Sequence, residues 1–306
     1  MAILAFAETR ILVQGITGRE AVTFALESIQ YGAKISAGVT PGKGGQAVHG
    51  IPVYDTVAQA LRVYPCNATV ISVPARAVLA AAGEALDNGL KLLVIVTERI
   101  PRRDVVMLLE RAASAGARVI GPNSLGIITP GQTRIGMCGG SADAVRRAYS
   151  SGPVGVISRS GGMMTEIASL LTQAGIGQST CVSIGGDPII GSTVLDLLPL
   201  YEGDADTHAL VLFCEPGGVM EEQLAEHLAQ HPSRLKIIAF VAGRFAEQRQ
   251  GMRFGHAGSM VEGNRGSPSA KMSILGAAGV RVADKVSHIP LLVRAALDEN
   301  ALRIWR

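Results

Sequence analysis

The sequence has few aromatic residues, few cysteines and no long run of charge, and each shortage argues against a class of protein. Its four cysteines are far apart and form no C-x-x-C pair, which argues against a zinc site and against a disulfide scaffold. Aromatic residues make up 4% of the chain, and the net charge of +3 comes without a long basic run. We therefore expect no metal site and no nucleic-acid partner.

Long apolar runs are absent as well. The run at residues 92–96 is interrupted after a few residues, whereas a membrane-spanning helix needs about 20. The opening stretch MAILAFAETR lacks the basic flank and the A-x-A cleavage site of an export signal. These features predict a cytoplasmic protein without a membrane partner. Hydrophobic residues, at 48%, nevertheless suffice for a large core.

Short β-branched runs alternate with helical patterns along the chain, which is typical of parallel sheets built from βαβ units. A chain of 306 residues has the length of two such domains of roughly 150 residues each. We predict an α/β protein with two sheets and a closing helix over residues 288–304. The predicted strands are residues 11–14, 34–39, 68–73, 91–97 and 118–120 in a first, doubly wound sheet, and residues 154–158, 180–184, 209–214, 236–241 and 280–282 in a second, five-stranded sheet.

Residues 121–152 interrupt this alternation. The turn-rich stretch GPNSLGIITPGQT is followed by the polar stretch SADAVRRAYSSGP, which ends in Gly-Pro as a linker would. The domain boundary should lie near residues 140–152. We expect a Rossmann-like domain over residues 1–145 and a flavodoxin-like domain over residues 146–306.

The first predicted strand runs into the turn GITGREA, residues 15–21, which can direct backbone N–H groups and a helix N-terminus at a phosphate. The spacing is G-x-x-G rather than the G-x-G-x-x-G of dinucleotide sites, and Ala21 stands in place of a later glycine. The second strand ends in VTPGKGG, where Lys43 occupies the place of the acidic residue that holds the ribose of NAD. A cation there suits an adenosine with an extra ribose phosphate, as in NADP or CoA. Ordinary turns of an α/β fold remain the alternative.

Two further strand ends belong to this site if the sheet has the expected order, because ligands bind beyond the carboxyl ends of parallel strands. The residues concerned are Val73 and Pro74 after the third strand, and Val96, Thr97 and Glu98 after the fourth.

One of the six histidines lies in an unusual setting. His256 is flanked by small residues in FGHAGS, on a long predicted loop, and its open ring suits a phosphoryl acceptor, although a structural role is the alternative. A nucleophilic imidazole needs one nitrogen held, commonly by a carboxylate, and Glu215 at the end of a second-sheet strand is the candidate. The segment SRSGG offers Ser160, Gly161 and Gly162 at a helix N-terminus, where phosphate charge can be stabilised.

The whole chain resembles the α subunit of succinyl-CoA synthetase. The matching stretches, in chain order, are QGITG, YGAKISAGVTPGKGG, IGPNSLGIITPG, VGVISRSG, GIGQSTCVSIGGDPIIGS and GHAGSM. The resemblance implies that His256 is the phosphorylated histidine and Glu215 its hydrogen-bonding partner. It also implies that CoA is held by the following residues: Thr17, Gly18, Arg19, Glu20, Lys43, Val96, Thr97 and Glu98.

The resemblance further implies an acid–thiol ligase that forms an acyl-CoA from a carboxylate, CoA and ATP or GTP, as in the tricarboxylic acid cycle. Phosphate passes from the nucleotide to the histidine and then to the carboxylate, and the CoA thiol displaces it. The ATP-grasp fold and the Mg²⁺ ligands would belong to a separate β subunit, in an αβ pair or an α2β2 heterotetramer. This chain is expected to be inactive alone.

Several residues depart from the family pattern. The family's TGSQG is TGREA here, so Arg19 and Glu20 replace Ser-Gln. Thr165 replaces a tyrosine of the substrate region, and SRSGGM is more similar to the corresponding stretch of ATP-citrate lyase. A smaller side chain at residue 165 suggests a carboxylate other than succinate, such as a larger or substituted dicarboxylate. A non-catalytic CoA-binding regulatory protein and an NADP-linked oxidoreductase remain alternative interpretations.

Overall fold

The computed structural model of the protein describes residues 2–244 and 266–304, with side chains of the last helix as far as Asp298. These residues form two mainly parallel sheets with accompanying helices, which confirms the predicted α/β fold. The helices are α1 (Arg19–Tyr31), α2 (Val57–Val63), α3 (Val78–Asp87), α4 (Arg102–Ser114), α5 (Ala142–Ala148), α6 (Gly161–Gln173), α7 (Val194–Gly203), α8 (Met220–Gln230), α9 (Pro268–Ala277) and α10 (Ile289–Ile304).

The first sheet has seven strands, of which five were predicted. They are β1 (Arg10–Gln14), β2 (Lys34–Val39), β3 (Ala47–Val48), β4 (Ile51–Tyr54), β5 (Ala68–Ile71), β6 (Leu92–Ile95) and β7 (Arg118–Ile120). Their order is β3-β4-β2-β1-β5-β6-β7, and only β3 runs antiparallel to its neighbour. The six parallel strands therefore have the 3-2-1-4-5-6 order of nucleotide-binding folds, with β3 added at one edge.

Strands β5 and β6 end two residues earlier than predicted. All four residues of each strand are buried, as expected for a parallel sheet covered on both faces. Ser72 and Val73 after β5, and Val96 and Thr97 after β6, leave the sheet and are only partly buried. Val73 and Val96 extended the apolar strand pattern in the sequence, but all four residues line a groove at the sheet edge.

The second sheet also has seven strands. They are β8 (Gly126–Thr129), β9 (Thr133–Gly136), β10 (Ser151–Ser158), β11 (Gln178–Ser183), β12 (Ala209–Cys214), β13 (Lys236–Val241) and β14 (Arg281–Val282). The order is β14-β13-β12-β10-β11-β8-β9. The five predicted strands are parallel and follow the flavodoxin-like order, whereas β8 pairs antiparallel with β11 and forms a hairpin with β9.

The hairpin β8-β9 and the helix α5 occupy the stretch that was predicted to be a turn-rich linker. That prediction was wrong because it took the glycines as turn residues, whereas Gly126 and Gly136 pair closely across the two strands of the hairpin. Gly126 has φ +107°, and a Cβ on it would collide with the carbonyl oxygen of Ile135. Residues 126–136 thus complete the second sheet, and the division of the chain near residue 145 stays a prediction.

Several helices begin or end at residues that are typical caps. Ser160 caps α6 by accepting a hydrogen bond from Met163 N, and Thr193 forms a capping box with Asp196 at the start of α7. Gly32 ends α1 with φ 113°. Within the described residues, no helix has the length and apolar character needed to cross a membrane.

Contacts between the two halves are direct. The Ile3 amide donates to Thr180 Oγ1 over 3.1 Å, so the N-terminal lead-in touches the second sheet. Ser28 on α1 donates to the Gly136 carbonyl at the end of β9, and the buried Arg134 side chain donates to Ser28 Oγ. Helix α1 therefore has its first turn at one sheet and its last turns against the other.

Candidate functional site

A groove lies at the carboxyl edge of the first sheet. The β1–α1 turn that forms its floor approaches the β5 loop so closely that only glycine fits. Gly15 has φ +84°, and a Cβ there would collide with the Ser72 carbonyl oxygen. The Gly18 amide then donates to Gly15 O over 2.9 Å, and α1 begins at Arg19 without a side-chain cap. The helix N-terminus is thus open to a ligand phosphate.

Two adjoining pockets make up the groove, and they share Gly18, Ser72 and Val73. The first, of about 410 Å³, is mainly apolar and is walled by Ala77, which precedes α3, and by the α3 residues Ala80 and Ala81. The second, of about 560 Å³, runs along the α1 N-terminus to the ends of β5 and β6. An apolar pocket beside an open helix N-terminus fits a ligand with a flat base and phosphates, such as CoA.

The structure brings the predicted groove residues together, with one exception. Nine of them line the two pockets: Thr17, Gly18, Arg19, Glu20, Val73, Pro74, Val96, Thr97 and Glu98. Lys43 lines neither pocket and stands exposed on the turn after β2, where its amide donates to Thr40 O. This turn borders the apolar pocket, which Thr40 and Pro41 line.

Sequence reasoning missed several groove residues. Thr40 holds the floor, because its hydroxyl lies 3.3 Å from Thr17 Oγ1. Asn123 and Met137 line the second pocket although they follow β7 and β9. They belong to the stretch interpreted as linker, so no strand-end argument pointed to them.

A second polar centre lies at the carboxyl edge of the second sheet. Glu215 follows β12, and its carboxylate lies 3.8 Å from Arg159 Nε, with both side chains nearly buried. Arg159 directly precedes Ser160, the cap of α6, and Gly161 and Gly162 form the first residues of that helix. The predicted carboxylate and the predicted anion-binding helix end are therefore joined through Arg159.

A buried ion pair supports the Glu215 turn. The Lys271 ammonium contacts the Glu221 carboxylate, and their side chains are 1% and 3% exposed. Lys271 Nζ also donates to Glu215 O over 3.1 Å and to Gly217 O. The Gly217 amide donates to Gly266 O over 2.8 Å, just before α9. The turn is thus held by charge-assisted bonds from α9.

Thr165 lies against another side chain rather than beside empty space. Its hydroxyl is 2.9 Å from the hydroxyl of Tyr149, which is buried next to α6. Burial raises the pKa of Tyr149 well above its ordinary value, so the phenol stays neutral. The Thr165 hydroxyl is therefore paired within the protein, with Tyr149.

His256 lies outside the described residues. Among the residues that the structure describes, no group of three or more His, Cys, Asp or Glu side chains is arranged to hold a metal ion. Cys138, Cys181 and Cys214 are buried free thiols, and burial raises the pKa of each.

The groove and the flavodoxin-like second sheet define a CoA-binding α/β protein, and comparison with known proteins supports this class. The CoA binding domain family matches residues 6–99, and the succinyl-CoA ligase like flavodoxin domain family matches residues 151–295. The α1 subunit of ADP-forming succinate–CoA ligase from Archaeoglobus fulgidus is 43% identical over 298 residues, covering 97% of this chain and 99% of that protein. The SauD subunit of ADP-forming sulfoacetate-CoA ligase from Bilophila wadsworthia is 38% identical, covering 97% of this chain and all of its own length, 100%.

The chain belongs to the family of α subunits of succinate–CoA ligases, and its activity is that of an NDP-forming acid–thiol ligase subunit. The match of residues 6–99 to the CoA binding domain family supports CoA as a ligand. Family membership decides against the NADP-linked oxidoreductase that the first sheet alone left open.

Solved structures show the same fold. ATP citrate lyase from Methanothrix soehngenii, in complex with citrate and coenzyme A, superposes with a TM-score of 0.89 at 24% identity, over 98% of this chain. The present chain spans about half of that protein, 51% of its length. Dinucleotide-forming acetyl-coenzyme A synthetase 1 from Ca. Korarchaeum cryptofilum superposes with a TM-score of 0.68 over 92% of this chain.

Proposed function

We propose that this chain carries the phosphoryl group of an acid–CoA ligase on His256, with Glu215 holding the imidazole. The main support is the contact between Glu215 and Arg159 at the edge of the second sheet. The nearly buried Glu215 carboxylate lies 3.8 Å from Arg159 Nε, and Arg159 directly precedes Ser160, the cap of α6. A carboxylate suited to orient an imidazole thus stands beside a helix end suited to phosphate.

The reaction has three balanced steps. An imidazole nitrogen of His256 attacks the γ-phosphorus of ATP or GTP and releases the nucleoside diphosphate. A carboxylate oxygen of the acid then takes the phosphoryl group and frees the histidine. The CoA sulfur finally attacks the acyl carbon, and inorganic phosphate leaves. Ser160, Gly161 and Gly162 offer backbone donors to the phosphoryl oxygens.

CoA lies, in this proposal, along the groove of the first sheet. The adenine occupies the apolar pocket beside α3, the pyrophosphate faces the turn of Thr17, Gly18, Arg19 and Glu20, and Lys43 meets the ribose phosphate. The thiol arm passes Val73 and Pro74 and then Val96, Thr97 and Glu98. Gly15 has no room for a side chain, because the turn lies close to the backbone of Ser72, and this close packing supports a fixed turn at the proposed pyrophosphate site.

A β subunit with an ATP-grasp fold supplies the nucleotide and Mg²⁺ sites, in an αβ pair or an α2β2 assembly, and the complex works in the cytoplasm. The relatives' names as α subunits support this partner. The acid is a larger or substituted dicarboxylate, or a sulfonated carboxylate, since one relative is a sulfoacetate-CoA ligase subunit. The smaller Thr165 side chain, which stands where the family has a tyrosine, favours an acid other than succinate.

Labelling tests the mechanism. The αβ complex, incubated with γ-labelled ATP or GTP, should gain acid-labile label on this chain, and His256→Asn should abolish it. His231→Asn, an exposed histidine at the end of α8, is the matched control and should label normally. Equal labelling of His256→Asn and the parent would refute the proposal, and CoA binding without any label would indicate a regulatory protein.

Substrate choice is tested by turnover. The complex would be assayed with succinate, malate, itaconate, citrate and sulfoacetate at equal concentration, and kcat/KM compared. We expect an acid other than succinate to lead. A clear preference for succinate would remove the idea of a different carboxylate and leave the phosphohistidine mechanism intact.

A further inference from the structure

Two loops from different sheets interlock between the CoA groove and Glu215. The turn after β7 and the loop after β11 exchange hydrogen bonds: the Gly186 amide donates to Asn123 O over 3.3 Å, and Asn123 Nδ2 donates to Asp187 Oδ1 over 3.0 Å. Gly185 has φ +100°, and a Cβ on it would collide with Pro122 O. The contact is therefore tight, and it fixes Asp187 in a nearly buried place.

Each end of this contact leads to a different part of the site. On the groove side, the Asn123 amide donates to Thr97 O over 3.0 Å, and Asn123 itself lines the second pocket. On the other side, Arg159 donates from Nη2 to Asp187 O over 3.1 Å. A continuous polar path thus runs from the groove through Asp187 to Arg159, and from there to Glu215.

The geometry of Arg159 suits electrostatic positioning. Its side chain is 12% exposed and that of Glu215 is 11% exposed, so their attraction is screened less than that of a surface pair. The Nε–carboxylate separation of 3.8 Å exceeds hydrogen-bond length, and buried Nε has no hydrogen-bond partner among the described residues. Arg159 Nε therefore attracts the Glu215 carboxylate through its charge and not through a hydrogen bond.

We propose that Arg159 is a positioning residue, anchored by the Asp187 loop, that keeps the Glu215 carboxylate aimed for the histidine-phosphorylation step. This inference rests on the proposed role of Glu215 and His256. Arg159 then has a role separate from phosphate binding at the α6 N-terminus. Asn123, which lines the groove, helps to hold Arg159 through Asp187.

The test uses the whole αβ complex and measures two partial reactions. The first is the rate of acid-labile labelling of this chain from γ-labelled nucleotide, by rapid quenching; the second is KM for CoA in the full reaction. The variants are Arg159→Gln, Arg159→Lys, Glu215→Gln and the double variant Arg159→Gln/Glu215→Gln. Arg118→Gln is the control, because Arg118 also donates to a backbone carbonyl of the other half, that of Asp196. Thermal unfolding of every variant checks folding.

We expect Arg159→Gln to slow labelling about 10-fold or more, in the range of couplings between neighbouring charged groups, with KM for CoA changed less than about 2-fold. Arg159→Lys, which retains the charge, should recover most of the rate. The double variant should label no more slowly than Glu215→Gln, because Arg159 acts through that carboxylate.

Three results would overturn the inference: labelling of Arg159→Gln at the parent rate, no recovery in a folded Arg159→Lys, or a double variant slowed by the product of the single effects. These outcomes are distinct from failure of the proposed function. In that case His256→Asn would label like the parent, whatever Arg159 does.

Discussion

Lys271 and Glu221 form an ion pair in which both side chains are almost completely buried, directly beneath the turn that carries Glu215. A buried pair contributes little stability compared with well-packed apolar residues, because both charges lose their hydration. The lysine has a second role here, since its other hydrogen bonds hold the carbonyls of Glu215 and Gly217.

Replacing one partner of this pair should be far more damaging than replacing both. Lys271→Met leaves the Glu221 charge buried alone and should lower the free energy of unfolding by about 3 kcal/mol or more, measured by urea denaturation. The double variant Lys271→Met/Glu221→Leu should recover most of that loss. Labelling should remain slow in the double variant, because the Glu215 turn lacks its ammonium donor.

Lys285→Met, at an exposed lysine, is the control for this prediction and should change neither stability nor labelling. A double variant as unstable as Lys271→Met would show that the destabilisation comes from lost packing rather than from the unpaired charge.

Lys43 should discriminate CoA from dephospho-CoA. Lys43→Gln removes an exposed cation beside the apolar pocket and should weaken CoA binding about 10-fold, but dephospho-CoA binding much less, since that ligand lacks the ribose phosphate. Isothermal titration with both ligands gives the two affinities. Lys34→Gln, at the other end of β2, should leave both unchanged. Equal weakening for the two ligands would place the lysine away from the ribose phosphate.

Gly15→Ala should impair both binding and folding. The new methyl group would meet Ser72 O in a left-handed conformation, and we expect at least about 10-fold weaker CoA binding with a clear drop in melting temperature. Gly32→Ala has φ +113° but no atom near the new Cβ, so it isolates backbone strain, worth about 1 kcal/mol. If the two variants behave alike, the close approach at Gly15 does not matter.

Stability should fall in alkaline solution. Burial raises the pKa of Cys138 from 9.0 to about 11, so between these values the unfolded thiol is ionised while the folded one is not. The unfolded state then binds fewer protons, and stability decreases by about 2 to 3 kcal/mol as pH rises from 9 to 11. The contribution of the Cys138 thiol to stability is fully present below pH 9.

Urea titrations at several pH values measure this loss. Cys138→Ala shifts the stability curve at every pH through lost packing, but its slope above pH 9 should be shallower than the parent's. An unchanged slope would show that Cys138 does not titrate differently in the two states.

The parts of the fold that could be predicted are those whose signal lies in a few consecutive residues. The central strands of both sheets follow from short apolar runs, because such runs are buried on both faces. Strands β8 and β9 were missed because each has only four residues and is framed by glycines that resemble turn signals.

The support of the site depends on contacts that no local pattern encodes. Asn123 and Asp187 are 64 residues apart, and Lys271 and Glu221 are 50 apart. In helical sequence, Lys271 and Glu221 look like solvated surface residues, since isolated charges are rarely buried. Only the folded chain shows that their charges lie together under Glu215.

The hairpin β8-β9 belongs by sequence to the first half and by hydrogen bonding to the second sheet. A cut in the chain between residues 140 and 150 would therefore leave the outer strands of that sheet attached to the amino-terminal fragment, with Ile127, Ile128 and Ile135 uncovered. Two such fragments should each aggregate when expressed separately and recombine into one particle when coexpressed, as in a split-protein complementation pair.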